Sequence, residues 1–231
     1  MKYIIIILSI LSVCVTSQAQ DKKFSFGVSL FPNYSTGIIS NDGNTAIAIQ
    51  NIYSENEIGK FSLGGNVFVE YKLGEKSNIG FGLGYQNNGL GTKKLDVIYL
   101  DPITSNPTID YQIRFIYNYH NLEIPIYFRY NFANRYYLML GASTIFNVLN
   151  KNTLIRFEDG RVEKSKSTDN STDFRKLNFC GDFGIGLDYL KKEKLSLFVN
   201  SYVQYGVLGI SKTASLNRNI LSIGISTGIR I

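Results

Sequence analysis

The stretch YHNLEIPIYFRY, residues 119–130, separates apolar and polar side chains onto the two faces of a strand. From Leu122 onward every second residue is apolar or aromatic, whereas Glu123, Pro125 and Arg129 occupy alternate positions. Successive side chains of a β-strand point to opposite faces, so this segment predicts a strand with one wholly apolar side. Two kinds of protein use such a strand: a soluble sheet with its apolar side buried, and a barrel wall with its apolar side in lipid.

The first residues predict export from the cytoplasm. A short basic start precedes the apolar run IIIILSILSVCV, and Ala19 completes a small-residue spacing of the kind that signal peptidase cleaves. The apolar run is too short for a membrane-spanning helix. We therefore predict a signal peptide over residues 1–19 and one β-barrel domain over residues 20–231.

Cysteine and charge content narrow the functional classes further. Cys14 would leave with the signal peptide and Cys180 would remain alone, so no intramolecular disulfide is expected. A lipoprotein modified at Cys14 is the weaker alternative, because bulky Val13 stands where a small residue is expected. The formal net charge of +6 is spread over loops and turns and forms no basic patch in the sequence, so we expect no nucleic-acid binding.

Alternation of apolar and polar residues recurs along the chain and indicates eight strands. In the fifth run both faces are apolar, so the sequence leaves its orientation open. The runs are KFSFGVSLFPNY (23–34), FSLGGNVFVEYKL (61–73), NIGFGLGYQN (78–87), the opening stretch, YYLMLGASTIF (136–146), LNFCGDFGIGLDY (177–189), LSLFVNSYVQYG (195–206) and LSIGISTGIRI (221–231).

The connections between these runs alternate between long and short. GEKS, NFANR and KKEK are short, whereas the segments 36–60, 88–118 and 148–173 are long and 207–219 is intermediate. This pattern predicts an all-β, eight-stranded antiparallel up-and-down transmembrane β-barrel with long extracellular loops and short periplasmic turns. Two of the long segments predict hairpins that extend the strands beyond the membrane. One hairpin turns at Asp159-Gly160, and the other joins KLDVIYL to IDYQIRFIYNY. If the second hairpin belonged to the wall, the barrel would have ten strands.

A soluble or lipid-anchored periplasmic carrier of the lipocalin type is the alternative, with apolar residues facing an internal ligand. Rows of glycine on the polar face, such as Gly80, Gly82 and Gly84, favour the membrane barrel because a narrow lumen needs small residues. The chain also lacks Trp, which lipocalins carry near their first strand. Tyrosines on the apolar face at strand ends predict aromatic girdles at the membrane interfaces. These are Tyr34, Tyr71, Tyr85, Tyr130, Tyr189 and Tyr205.

The segment HNLEIPIYFRYNF, residues 120–132, resembles the Leu-Glu-Ile-Pro strand of the PorT-like outer-membrane β-barrel family. YYLMLGAS, FGIGLDY and YVQYGVLGI are similar to that family's following strands, in the same order. The resemblance implies a barrel in the cell outer membrane and, by analogy only, support of a secretion complex. Ile231 departs from the pattern, because many such barrels end in an aromatic residue.

Strand parity also predicts a cluster of charges in the lumen. With a periplasmic N-terminus, charged residues of both signs fall on the inward face at the periplasmic end of the strands. These are Glu70, Lys72, Arg129, Asp188 and Arg230. We expect them to interlock in a hydrogen-bonded network that closes the lumen, since an unpaired buried charge is costly. The alternative is a wet rim in which water hydrates each charge.

The sequence offers little for catalysis. His120 is the only histidine and has no suitably spaced partner, and Cys180 is read as a small buried residue. GFGLGYQNNG (80–89) has no following helix to bind a phosphate, and SNDGNT (40–45) and STDNSTD (167–173) are read as loops rather than calcium sites. We therefore expect no enzyme, no cofactor and no metal.

The expected function is binding or adhesion through the external loops, or support of a secretion complex. The expected partners are outer-membrane lipid and an extracellular ligand or an envelope protein, and we expect a monomer.

Overall fold

The computed structural model describes residues 23–41, 51, 54–100, 107–169, 174–192, 195–212 and 216–231. These residues form ten antiparallel strands. The strands are β1 (Phe24–Asn41), β2 (Glu57–Lys72), β3 (Ser77–Thr92), β4 (Leu95–Leu100), β5 (Pro107–Asn131), β6 (Tyr136–Glu158), β7 (Arg161–Asp169), β8 (Leu177–Lys192), β9 (Leu195–Gly206) and β10 (Leu216–Arg230).

Eight of the strands close into a ring, which confirms the predicted barrel. Around the ring the order is β1, β2, β3, β5, β6, β8, β9 and β10, and β10 pairs with β1 through neighbours such as Val28 and Ile229. Neighbours in the ring follow one another along the chain, as an up-and-down barrel requires. The short connections 73–76 and 132–135 lie at one end, called here the short-turn end. The ends of the wall strands from which the long connections leave lie at the other, called here the loop end.

The two strands outside the ring, β4 and β7, account for the difference between an eight-stranded and a ten-stranded barrel. β4 continues β3 along the same neighbour, because β3 pairs with β5 as far as Gly91 opposite Ile116 and β4 takes over at Leu95 opposite Ile113. In the same way β7 and β8 share β6 as a neighbour, with β7 at the loop end. The wall therefore has eight members, and two of its connections rise above it as a four-stranded sheet, β4-β5-β6-β7, called here the raised sheet.

The predicted turn at Asp159-Gly160 joins β6 to β7. Both residues have positive φ, 45° and 75°, which is the left-handed geometry of the tightest hairpin turns. Glu158 and Arg161 pair directly on either side of it. The hairpin is therefore confirmed, as is the pairing of KLDVIYL with IDYQIRFIYNY as β4 and β5.

Exposure follows the parity that the sequence predicted. Val67, Leu83, Ile126 and Ile225 are exposed on the outside of the barrel, whereas Ser222 and other polar residues are buried in the lumen. The orientation of β6, which the sequence left open, is also decided. Leu138 and Leu140 point outward, and Tyr137 and Ser143 point inward.

The soluble-carrier alternative is therefore wrong for this fold. Its barrel would bury apolar side chains and expose polar ones, and here the arrangement is reversed. A belt of large apolar side chains covers the exterior, far more than water would tolerate on a soluble protein.

Pro125 lies inside the lumen-facing row of β5, where a residue without a backbone N–H interrupts the ladder. The β3 ladder skips Gly82 and Leu83, which face this part of β5, but the register is the same on both sides of the gap. The register shift lies higher, at His120 and Asn121. Proline removes one ladder hydrogen bond here without displacing the strand.

No helix in the described part of the chain is long and apolar enough to cross a membrane. The predicted signal peptide, residues 1–19, lies outside the described residues, as do 42–45 of SNDGNT and 170–173 of STDNSTD.

Candidate functional site: the lumen and the raised sheet

Four charged side chains from four strands meet in the lumen near the short-turn end. Arg129 Nη2 lies 3.1 Å from Glu70 Oε2, and Arg129 Nη1 lies 3.4 Å from Asp188 Oδ2. On the other side, Arg230 Nε lies 3.0 Å from Glu70 Oε2, and its Nη1 lies 3.1 Å from Asp188 Oδ1. Each arginine thus bridges both carboxylates, and the group, called here the ion cluster, is closed and has no net charge.

Burial makes the pairing in the ion cluster necessary. None of the four residues is more than 7% exposed. A buried charge that loses its partner destabilises a protein by several kcal/mol, about 3–5 in measured cases. Two carboxylates and two guanidinium groups in alternation leave no charge uncompensated.

Aromatic side chains complete the surroundings of the ion cluster. Tyr127 Oη donates a hydrogen bond of 3.0 Å to Glu70 Oε1. The guanidinium of Arg129 lies 5.1 Å from the centre of the Tyr137 ring, and that of Arg230 lies 4.9 Å from the Phe198 ring. Cations at these distances are attracted by the negative face of the ring.

Lys72, the fifth residue predicted for this cluster, does not join it. Its side chain is exposed, and it forms no ion pair with any residue that the structure describes. Lys72 has the same parity as Glu70 but is the last residue of β2. At that position the strand has left the enclosed part of the barrel. The face predicted for Lys72 is therefore correct, and its predicted depth in the lumen is wrong.

On neighbouring strands of the barrel wall, glycine residues pair directly with aromatic residues that point into the lumen. Tyr127 pairs with Gly80, and Tyr137 pairs with Gly186. A Cβ atom at either glycine would lie 2.2 Å from the partner's Cζ, so the ring occupies the space that a side chain would need. The same pairing recurs between Phe31 and Gly64, Gly27 and Phe68, and Phe198 and Gly228. Glycine rows on the polar face predicted the small residues of the lumen but not the rings beside them. Aromatic residues at polar-face positions, such as Phe68 and Tyr127, are the sequence signal for those rings.

A second polar layer lies closer to the loop end and contains two acids. Gln204 Nε2 donates a 2.7 Å hydrogen bond to Glu123 Oε1, and Ser143 Oγ donates to Asp182 Oδ2. Between this layer and the ion cluster lies a cavity of about 90 Å³.

The six predicted girdle tyrosines all lie on the outside of the barrel. Tyr71, Tyr130 and Tyr189 are near the short-turn end, and Tyr34, Tyr85 and Tyr205 are near the loop end. Their placement in two rows is a fact of the structure, and their contact with a membrane interface stays a prediction.

His120 and Cys180, the two candidate catalytic residues, have ordinary surroundings. His120 Nδ1 is hydrogen-bonded to Tyr85 Oη, and Cys180 is a buried free thiol. Within the described ranges, no group of three or more His, Cys, Asp and Glu residues could hold a metal ion.

The raised sheet has two different faces. The face that continues the lumen side of β5 carries Tyr111, Phe115 and Tyr117, and Arg156 of β6 stacks on Tyr111 at 3.9 Å from its ring centre. All of these side chains are partly exposed. The opposite face continues the exterior of the barrel.

The sequence model of a family described as outer membrane protein beta-barrel domain matches residues 17–211. The chain belongs to this family. No curated protein sequence matches the chain.

The chain is similar to several solved outer-membrane barrels. Neisserial surface protein A is 10% identical, with a TM-score of 0.41 over 91% of this chain and 97% of its own. Ail of Yersinia pestis, crystallised in complex with the heparin analogue sucrose octasulfate, is 9% identical, with a TM-score of 0.40 over 90% of this chain and 99% of its own. The outer membrane protease OmpT of Escherichia coli is 8% identical, with a TM-score of 0.38 over 93% and 99%.

As a member of the outer membrane protein beta-barrel family, the protein is located in the cell outer membrane. The exposed apolar belt is its lipid-facing surface, and the closed ring leaves no wall strand with an unpaired edge in lipid. In the usual orientation of these barrels, the short-turn end is periplasmic and the loop end is extracellular.

Proposed function

We propose that this protein is a closed barrel that acts at the cell surface, binding an extracellular ligand through the tip and the aromatic face of the raised sheet. The observation that carries the proposal is the contrast between the two ends. The lumen is crowded and charge-neutral at the periplasmic end, whereas β4 to β7 extend as a sheet beyond the barrel.

The filling of the lumen argues against transport. An eight-stranded barrel has room only for side chains or one small ligand, and here aromatic rings and the ion cluster occupy that room. We therefore expect little or no steady conductance when the purified protein is inserted in a planar bilayer. A large stable channel would contradict the closed-lumen part of the proposal and leave the binding part to be tested separately.

The raised sheet suits binding because it presents partly exposed aromatic rings on a rigid, hydrogen-bonded support. Tyr and Phe supply large contact areas at little cost in conformational entropy. Tyr111, Ile113 and Phe115 follow one another on one face of β5. Arg156 stacks on Tyr111 and is paired with Glu158 on the same surface.

The test is a gain of binding in a non-adherent bacterial strain that expresses the protein. The variant replaces residues 153–166 with a two-residue Asn-Gly turn, which keeps Asn152 opposite Ser167 and so leaves the hairpin closed. Expressing cells should bind to host cells or matrix-coated plates, and cells with the shortened hairpin should lose that binding.

A matched control replaces only the turn Asp159-Gly160 with Asn-Gly, which retains the raised sheet. Heat-modifiable migration on gels verifies that each variant is folded in the membrane. Equal binding by the wild type and the shortened variant would overturn the proposal.

The PorT-like resemblance suggests a second role, support of a secretion complex. That role predicts that a stoichiometric envelope protein co-purifies with the barrel from native membranes and that the shortened hairpin still retains it. We further propose that the protein is a monomer without catalytic activity.

A further inference from the structure

The outward face of the raised sheet carries an excess of positive charge. Side chains that pair directly across an antiparallel sheet share a face. Arg114 pairs with Ile155, which pairs with Lys164, and the next row places Lys166 opposite Thr153. Lys151 lies opposite Asn118 in the row nearest the barrel.

This basic face is continuous with the lipid-facing belt. The register between β5 and β3 is unbroken from Tyr130 to Ile116, so the even-numbered residues of β5 that face lipid at Leu122 and Ile126 still face outward at Arg114. In β6 the extra residue Val148 shifts the parity, which brings Lys151 onto the same side.

Cations and acids are separated by height on this face. Lys151, Lys164, Lys166 and Arg114 occupy the rows nearest the barrel, whereas the acid Asp96 lies beyond them in the row of Gln112. Lys94 immediately precedes Leu95, which pairs with Ile113 at the start of β4, and its Nζ lies 4.1 Å from the centre of the Phe157 ring.

The height of these cations matches a headgroup layer. A tilted barrel strand rises roughly 2.5 Å along the membrane normal per residue, which puts Lys151 roughly 10 Å and Arg114 roughly 20 Å above Leu122. Tyr85, which pairs with Leu122, belongs to the outer row of tyrosines. The basic face therefore begins where the apolar belt ends.

We propose that the outward basic face of the raised sheet binds the phosphate groups of the glycolipid headgroups in the surrounding outer leaflet. Lysine and arginine near a membrane surface are attracted to anionic headgroups, and each adds to the binding. This inference goes beyond the proposed function, which concerns the other face and the tip, and the two can fail separately. Lipid contact on the outward face would hold the sheet upright and leave its aromatic face free.

The experiment compares two triple variants with equal loss of charge. The first is Lys151→Gln, Lys164→Gln and Lys166→Gln on the basic face. The matched control is Lys72→Gln, Lys191→Gln and Lys192→Gln, three exposed lysines at the periplasmic end. Binding of fluorescent diphosphoryl lipid A to the full-length protein in neutral detergent is measured at low and high salt.

We expect the basic-face variant to bind lipid A about tenfold more weakly than the wild type at low salt, and we expect the difference to shrink at high salt. The control variant should bind like the wild type. If both variants bind equally, the proposal is overturned.

A parallel titration with soluble heparin separates a membrane lipid from an extracellular polyanion. Heparin binding that falls while lipid A binding is unchanged would assign the basic face to a soluble polyanion and would also overturn the proposal. Unchanged heat-modifiable migration of both variants ensures that lost binding is not lost folding.

Discussion

The ion cluster and the raised sheet use the same kinds of charged residue in opposite ways. In the lumen, Glu70 and Asp188 each contact two arginines, and all of these groups are buried. On the raised sheet, Lys164 and Lys166 are exposed on the outward face. A buried charge stabilises the fold only when it is compensated, whereas an exposed charge remains available for a partner.

The strongest test of this difference is Arg230→Met. The substitution removes the contacts of Arg230 with both Glu70 and Asp188 and leaves three buried charges with a net negative sum. We expect the free energy of unfolding to fall by about 3–5 kcal/mol, measured by urea titration in lipid vesicles. Lys72→Met, at the exposed end of β2, is the control and should have almost no effect. Comparable losses for both would show that the ion cluster is not a compensated network.

A second prediction compares two valines with the same exposure at different heights. Val67 is 54% exposed on the barrel wall, and Val162 is 55% exposed on β7. Val67→Arg should cost about 2–4 kcal/mol of folding free energy or block insertion, because the charge enters hydrocarbon. Val162→Arg should be tolerated, because its side chain lies above the membrane. Folding yield into vesicles measures both, and equal yields would mean that the assigned height of the raised sheet is wrong.

A third prediction concerns packing inside the lumen. Gly186→Ala would place a Cβ atom against the Tyr137 ring, and overpacking of this kind costs about 1–3 kcal/mol. Gly181→Ala on the same strand is the control, because no atom lies within 4 Å of the added methyl group. Urea unfolding should separate the two variants. A neutral Gly186→Ala would mean that Tyr137 can move aside and that the glycine is not required.

The smallest effect is expected for a surface pair on the raised sheet. Arg156 Nη2 lies 3.0 Å from Glu158 Oε2, a distance like those of the ion cluster, but both side chains are more than a third exposed. Because water screens exposed pairs, Glu158→Gln should change the free energy of unfolding by less than about 1 kcal/mol. A loss as large as that of Arg230→Met would show that distance alone sets the strength of these pairs.

The fold could be predicted because its signal is repeated. Each strand carries its own alternation of apolar and polar residues. The orientation of residues 136–146 could therefore stay open without affecting the predictions for the other strands. The candidate site was predicted less completely. Parity put Glu70, Arg129, Asp188 and Arg230 on the lumen side, where they lie, but it wrongly placed Lys72 with them. Alternation reports which face a residue occupies, and depth depends on where neighbouring strands end.

The sequence by itself determined the two-faced strands, the short and long connections and the turn at Asp159-Gly160, because each depends on residues close together in the chain. Only the tertiary structure decided how strands far apart in the chain are staggered. That stagger sets Arg230 of β10 against Glu70 of β2, and it places Lys151, Lys164 and Arg114 in neighbouring rows of one face. Such contacts join residues distant in the chain, so their partners are set only when the ring closes and every strand takes its register from its two neighbours.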